Sequence, residues 1–340
     1  MFDQSIQRIG FACKYMHTNR SLKKALLEDL ERPFNGRSTT KAWLDRQTKS
    51  VAEQRLHEII NDNIKSYKKL IEYVGTLDPQ LRMLRLGSDL LPLFTENTWS
   101  KFYTQDILDD IEKRLFQVGQ SARDLDIKLS MHPGQFTVLA SESDDIVSKS
   151  IEEMEYHALV ARFMGFAKEF QDFKINVHIS GRRGPAGIKS ALLKMSPEVQ
   201  NTITIENDEN AWGINDSLEL EKDCALVLDV HHHWCREGTY LQATDDRYKR
   251  IIDSWRGIRP TIHYSQSRED YLIGHCPNTL PDKTNLLAAG YKKGKLRAHS
   301  DMMWNNACND YVSNFCPTAD IMVEAKNKNI ASRALFETLY

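Results

Sequence analysis

Eight short runs of aliphatic and β-branched residues recur along the chain. They are RIGFAC (8–13), RMLRLGSD (82–89), IKLSMH (127–132), INVHIS (175–180), TITIEN (202–207), ALVLDVHH (225–232), TIHYSQ (261–266) and IMVEAK (321–326). Each reads as a strand buried on both faces. Between them lie stretches with apolar residues at threes and fours: 51–74, 104–125 with Thr104 at the N-cap, and 143–170, then shorter ones near 187–195, 214–222, 244–255 and 305–315. Strand–helix alternation implies a parallel sheet, and eight such units imply a closed (β/α)8 TIM barrel. No internal repeat, low-complexity tract or Pro/Gly/Ser-rich linker divides the chain, so one α/β domain over 1–340 is expected. Residues 15–50 are polar and weakly periodic, and no element is assigned to them.

The ionisable residues fall in a pattern. Nearly every run ends in a metal-ligand type: Asp89, His132, His178, Glu206, Asp229 followed by His231, His232 and His233, then His263 and Glu324, with His299 in the loop after the seventh strand. A TIM barrel gathers the C-terminal ends of its strands on one face, so these residues would converge. A lone histidine or carboxylate at a strand end is usually a cap or a satisfied core group. A whole pole of them carries desolvation cost and repulsion unless positive charge sits among them. Imidazole nitrogen and carboxylate oxygen without thiolate suit Mn²⁺, Zn²⁺ or Fe²⁺. So many ligands exceed one coordination shell, so two or three ions are expected, with Glu206 and Asp229 as candidate bridges. Such clusters suit phosphoryl displacement.

Composition matters here chiefly for charge. The net charge of -2 argues mildly against a nucleic-acid partner, but carboxylates that ligate metal are neutralised in the loaded protein. Two basic segments flank candidate ligands: SGRRGP (180–185), with Arg182 and Arg183, and YKKGKLRAH (291–299), with Lys292, Lys293, Lys295 and Arg297. Both are expected on the rim, where they can meet phosphates. The six cysteines form no C-x-x-C pair and are expected to be free thiols. No apolar run reaches membrane length and MFDQSIQRIG lacks a signal-peptide core, so a soluble, cytosolic protein without a membrane or an obligate protein partner is expected.

SMHPGQF (130–136), IENDE (205–209), GSDLLP (87–92), LDVHHH (228–233) and DIMVEAK (320–326), in strand-end positions, resemble the UV damage endonuclease family. The likeness runs from about residue 8 to 328, and the barrel is similar to that of endonuclease IV. The resemblance implies a TIM barrel with up to three divalent ions, Mn²⁺ before Zn²⁺. It implies incision of UV-damaged double-stranded DNA immediately 5′ of cyclobutane dimers and 6-4 photoproducts, leaving 3′-hydroxyl and 5′-phosphate. His132, His178, Glu206, Asp229, His232, His263, His299 and Glu324 would be ligands, with Asp89 a ligand or a neighbour of one. Glu206, Asp229 and Glu324 would be the catalytic carboxylates. Gln135 and Phe136 match a pair that wedges into the helix at the lesion, and Phe11 and Tyr15 fall loosely where family members contact it.

Strand alternation puts Asp229 and His231 on one face, whereas the family pattern Asp-x-x-His selects His232. The two agree if the strand ends near Val230 and the chain turns, so His232 is expected to be the ligand. Thr261 stands where some family members carry a lysine that can be carboxylated. Three other readings compete: an abasic-site endonuclease of the endonuclease IV type, a metal-dependent sugar isomerase, and a damage-binding protein without catalysis.

Overall fold

The structure is a computed structural model in which residues 3–340 are described. All eight runs form strands: β1 (Ile9–Ala12), β2 (Met83–Arg85), β3 (Lys128–Met131), β4 (Lys174–His178), β5 (Ile203–Glu206), β6 (Ala225–Val227), β7 (Thr261–Tyr264) and β8 (Asp320–Val323). They are parallel and lie in the order β6-β5-β4-β3-β2-β1-β8-β7. The seam between β6 and β7 is closed just beyond β6, where the His263 N–H donates to the Leu228 carbonyl at 2.9 Å and Asp229 bridges to His263. The expected (β/α)8 barrel is therefore the fold.

Side chains alternate along each strand, and the two faces differ in kind. Leu84, Leu129, Ile175, Val177, Ile203, Ile205, Ile262, Ile321 and Val323 belong to the main apolar core. Many alternate positions are polar and equally buried: Lys128 and Ser130, Lys174 and Asn176, Thr204 and Glu206, Thr261 and His263, and Asp320, while Ala12, Met83 and Met322 form a small apolar cluster of their own. Among the polar ones, Asp320 anchors an ion-pair cluster. It accepts from Lys128 Nζ at 2.8 Å, Arg259 Nε at 3.0 Å and the Arg8 N–H at 2.8 Å. Lys128 and Asp320 open their strands, so this cluster closes the pole opposite the strand ends.

The long helices appear at Lys49–Gly75, Gln105–Asp124 and Asp144–Phe163. Thr104 does hold the N-cap position, although its side chain makes no capping bond. The third helix stops short of the expected residue 170 because Gly165 takes a left-handed φ of 84° and turns the chain. Residues 15–50 do carry structure, a helix at Lys24–Glu31 and a turn of helix at Lys41–Leu44. Asn63 ties this segment to the barrel, accepting from Arg37 N at 2.8 Å and donating to the Asp89 carbonyl at 2.8 Å. All six cysteines are free. Among the described residues, no helix is long and apolar enough to cross a membrane.

Candidate metal centre and its rim

Glu206 ends β5 and is fully buried. Four imidazoles surround its carboxylate: His263 Nδ1 at 3.1 Å, His232 Nδ1 at 3.3 Å, His132 Nε2 at 3.8 Å and His178 Nε2 at 3.9 Å. Burial alone would raise this carboxyl, but His263, His178, His132 and His232 outweigh it and hold Glu206 well below the usual carboxylate range. Its orientation is set from below. Thr204 Oγ1 donates to Asn176 Oδ1 at 2.8 Å, and Asn176 Nδ2 donates to Glu206 Oε2.

Asp229 is also buried, and burial pushes its carboxyl well above the usual range. Its position follows from a helix start. β6 stops at Val227 and a helix runs over Val230–Glu237, with Asp229 as N-cap accepting from the His232 N–H at 2.7 Å and Gly238 in the left-handed region as C-cap. The expected strand over 225–232 is thus shorter, and this turn decides between the histidines. His232 faces Glu206. His231 lies on another side of the helix, stacked on Trp234 with ring centroids 5.6 Å apart, and its Nε2 is 3.6 Å from Cys235 Sγ. His233 Nε2 meets Thr239 Oγ1 at 3.3 Å. Asn207 locks the two strand ends together, accepting from Asp229 N at 2.9 Å and donating to the Asp229 carbonyl at 3.0 Å.

His263 lies between the carboxylates of Glu206 and Glu324, with its Nδ1 also 3.3 Å from Glu324 Oε1. Its other nitrogen, Nε2, is 2.9 Å from Nζ of buried Lys174. Burial lowers His263 to about 4 and Lys174 to about 7. Glu324 is ion-paired with Arg85, and although burial would raise its carboxyl, Arg85 and His263 hold it well below the usual range. His299 lies beside it, Nδ1 3.9 Å from Glu324 Oε2.

Three sets bring one ligand atom from each residue within 4.8 Å of the others: His132–His178–Glu206, His178–Glu209–His232 and Glu206–Asp229–His263. Glu206 Oε1, Asp229 Oδ2 and His263 Nδ1 are buried without a hydrogen-bond partner. Unpartnered buried polar atoms in such number are costly unless a ligand binds them, and the two carboxylate oxygens among them call for a positive one. With bonds of ~2.0–2.2 Å, divalent ions fit these spacings. The donor set therefore fits the expected metals. Asp89 is not in these sets. It lines a neighbouring groove of about 530 Å³ with Glu153, Tyr156 and Gly134.

The rim corrects some expectations. Gln135 is exposed and Phe136 is 84% exposed, on the loop that leaves β3 after His132. Phe11 is only 1% exposed and belongs to the apolar core, so it has no face to offer a base. Tyr15 is half-buried with its ring against Phe34 at 4.5 Å and Tyr73 at 4.8 Å, and Asn35 clamps its backbone. Its ring is already committed within the protein. Arg182 pairs with Glu142 at 3.2 Å and Arg183 with Asp144 at 2.9 Å, so this loop's charge is largely neutralised. Lys292, Lys293 and Lys295 are exposed, and among the described residues no carboxylate pairs with them. Arg297 turns inward to Glu209 at 2.8 Å. Arg85, Lys174, Asn176 and Glu209 were not anticipated. The first three alternate with, or lie one strand from, expected ligands, which is the signal that could have found them.

Comparison with known proteins places this geometry in a family. The UV-endonuclease UvdE family profile matches residues 7–340. The UV-damage endonuclease of Schizosaccharomyces pombe is 28% identical over 97% of this chain and 50% of its own length. The UV DNA damage endonuclease of Clostridium perfringens is 24% identical over 96% of this chain and 69% of its own. The chain thus spans about half the length of the first relative and about two thirds of the second. In fold it is similar to the crystal structure of SacUVDE, with TM-score 0.70, 21% identity and 98% of each chain covered. Endonuclease IV from Thermus thermophilus shares the fold more loosely, with TM-score 0.51, 12% identity, and 80% and 94% covered. With its barrel, its strand-end imidazoles and carboxylates and a match over nearly its whole length, the chain belongs to the UV-endonuclease UvdE family.

Proposed function

We propose that the protein is a metal-dependent UV damage endonuclease acting in DNA repair. On this reading it incises double-stranded DNA immediately 5′ of cyclobutane dimers and 6-4 photoproducts, leaving 3′-hydroxyl and 5′-phosphate. The observation that carries the reading is a buried pole of imidazoles and carboxylates with orphaned atoms, flanked by an exposed Gln135–Phe136 tip. His132, His178, Glu206, Asp229, His232, His263 and Glu324 would hold two or three divalent ions, Mn²⁺ first among them, with His299 beside Glu324. Bound there, such ions supply the positive charge that stabilises a pentacovalent phosphorus and activates the attacking water. The chain's own residues do the rest. Asn176 and Thr204 aim Glu206, Lys174 fixes the His263 ring, and Lys292, Lys293 and Lys295 offer unpaired charge to phosphates. Phe136 fills the gap left by an extruded lesion, and lesions unstack at least cost, which supplies selectivity.

The test is nicking of supercoiled plasmid, UV-irradiated, abasic or intact, with Mn²⁺ or with EDTA. Nicking of the irradiated plasmid alone, abolished by EDTA, is the expected result. Cleavage of the abasic plasmid alone would reassign the lesion and keep the metal centre, while intact plasmids throughout would overturn the nuclease reading. Phe136→Ala is expected to lower kcat/KM on irradiated duplex by roughly 10- to 100-fold, since base–aromatic stacking contributes ~1–3 kcal/mol. Its melting temperature should not move, because the ring is exposed. An unchanged kcat/KM would remove Phe136 from lesion recognition.

A further inference from the structure

Glu209 lies outside the strand-end pattern, three residues beyond Glu206 in the loop after β5, yet it reaches the centre. Its side chain is 18% exposed and its two oxygens face different groups. Oε1 accepts from Arg297 Nη1 at 2.8 Å, and Oε2 lies 4.0 Å from His232 Nε2. The loop that presents it is fixed. The Asp208 N–H donates to the Trp212 carbonyl at 2.8 Å, Asp208 Oδ1 accepts from Asn210 N at 2.7 Å, and Trp212 Nε1 donates to the Gly181 carbonyl at 2.8 Å. Arg297 also donates to Asn210 Oδ1 at 2.9 Å, which ties the loop to the segment before His299.

The imidazole of His232 says where an ion would sit. Its Nδ1 faces three acceptors: the Asn207 carbonyl at 3.1 Å, Glu206 Oε1 at 3.3 Å and Asp229 Oδ2 at 3.7 Å. The ring proton belongs on that nitrogen, so the lone pair of the neutral ring is on Nε2. On the Nε2 side stands Glu209, with Oε2 4.0 Å away. His178, Glu209 and His232 each bring a ligand atom within 4.8 Å of the others. An ion with bonds of ~2.0–2.2 Å would draw these three atoms together.

We propose that Glu209 is a metal ligand: with His178 and His232 it forms an outer divalent-cation site, and Arg297 holds the carboxylate by its other oxygen. This rests on the metal-dependent reading above. One oxygen for the guanidinium and one for the ion give Glu209 a fixed direction, as bonds to a ligating carboxylate generally do. The site lies beside the segment carrying Arg297, through the Glu209–Arg297 pair.

The experiment is a Mn²⁺ binding isotherm on the full chain, reading free Mn²⁺ by electron paramagnetic resonance, for wild type, Glu209→Gln and Arg297→Ala. Wild type should show a tight inner class and a weaker outer one. Glu209→Gln should weaken the outer class at least tenfold, while the inner class stays intact and certifies the fold. Arg297→Ala should weaken the outer class too, but clearly less than Glu209→Gln does, because the carboxylate itself remains. An isotherm unchanged in Glu209→Gln, or an equal loss in both variants, overturns the proposal and leaves Glu209 as an anchor for Arg297. No tight Mn²⁺ in wild type would instead overturn the metal reading itself.

Discussion

Glu206→Gln is expected to lower the nicking rate on irradiated duplex by at least about 10³-fold, which corresponds to about 4 kcal/mol of transition-state stabilisation. The substitution keeps the shape of the side chain and removes its charge. That charge has four imidazoles within 3.9 Å, and one of its oxygens is buried without a partner. An uncharged amide cannot join the same ions, so every group aimed at Glu206 loses its common partner at once. The amide also presents N–H groups where Asn176 already donates, which sets donor against donor in a closed site. Replacement of the carboxylate at the middle of the cluster should therefore cost far more than loss of Phe136, which is proposed to act on recognition alone. Single-turnover nicking, with a thermal melt to show that the variant is folded, checks it. A rate within tenfold of wild type would falsify the assignment of Glu206 to the centre.

The repeated apolar runs made the barrel legible, because each strand is buried on both faces and its outward residues are aliphatic. The convergence of imidazoles and carboxylates was legible for a related reason: a strand that ends on such a residue places it at one pole whatever the intervening helices do. The limits are equally physical. Which histidine of 231–233 faces Glu206 depends on where β6 stops and a helix begins, and Asp229 capping that helix is a contact rather than a periodicity. The resemblance selected His232, whereas alternation alone selected His231. Phe11 shows the converse failure. The resemblance placed it loosely at the lesion, but its side chain falls on the outward face, under the helices. Residues 15–50 gave only a weak periodic signal because their elements are short and tied down by side-chain bonds, such as those of Asn35 to Tyr15 and Asn63 to Arg37. Glu209 was hidden among the loop residues of IENDE, since reading strand ends stops at Glu206.

Lys174→Met is expected to stabilise the metal-free protein in acid and neutral solution while impairing its function. Lys174 opens β4 and its side chain is buried in the barrel interior against His263. Burial, with Arg85 adding to it, lowers its ammonium from the ordinary 10.5 to about 7, despite the pull of Glu206 and Glu324. Between these two values the unfolded chain binds a proton that the folded chain does not, so stability rises with pH across that window. Below about pH 7 both states are charged and the folded state carries the whole penalty, with a ceiling of about 5 kcal/mol. Methionine has a similar length and no charge, so it removes the penalty. Urea unfolding in EDTA should show the variant more stable by several kcal/mol at pH 6, with the gap closing towards pH 10.5. A variant that is less stable at pH 6, or equally shifted at both pH values, would show that Lys174 is not held at a cost. The functional loss follows from the same contact. Without an amine 2.9 Å from Nε2, the His263 ring is no longer fixed between Glu206 and Glu324. Partners of this kind contribute roughly 10- to 100-fold to metal affinity or activity. A lysine that weakens the empty barrel and orders a ligand of the loaded one is the trade between stability and activity expected where a site is built from buried charge.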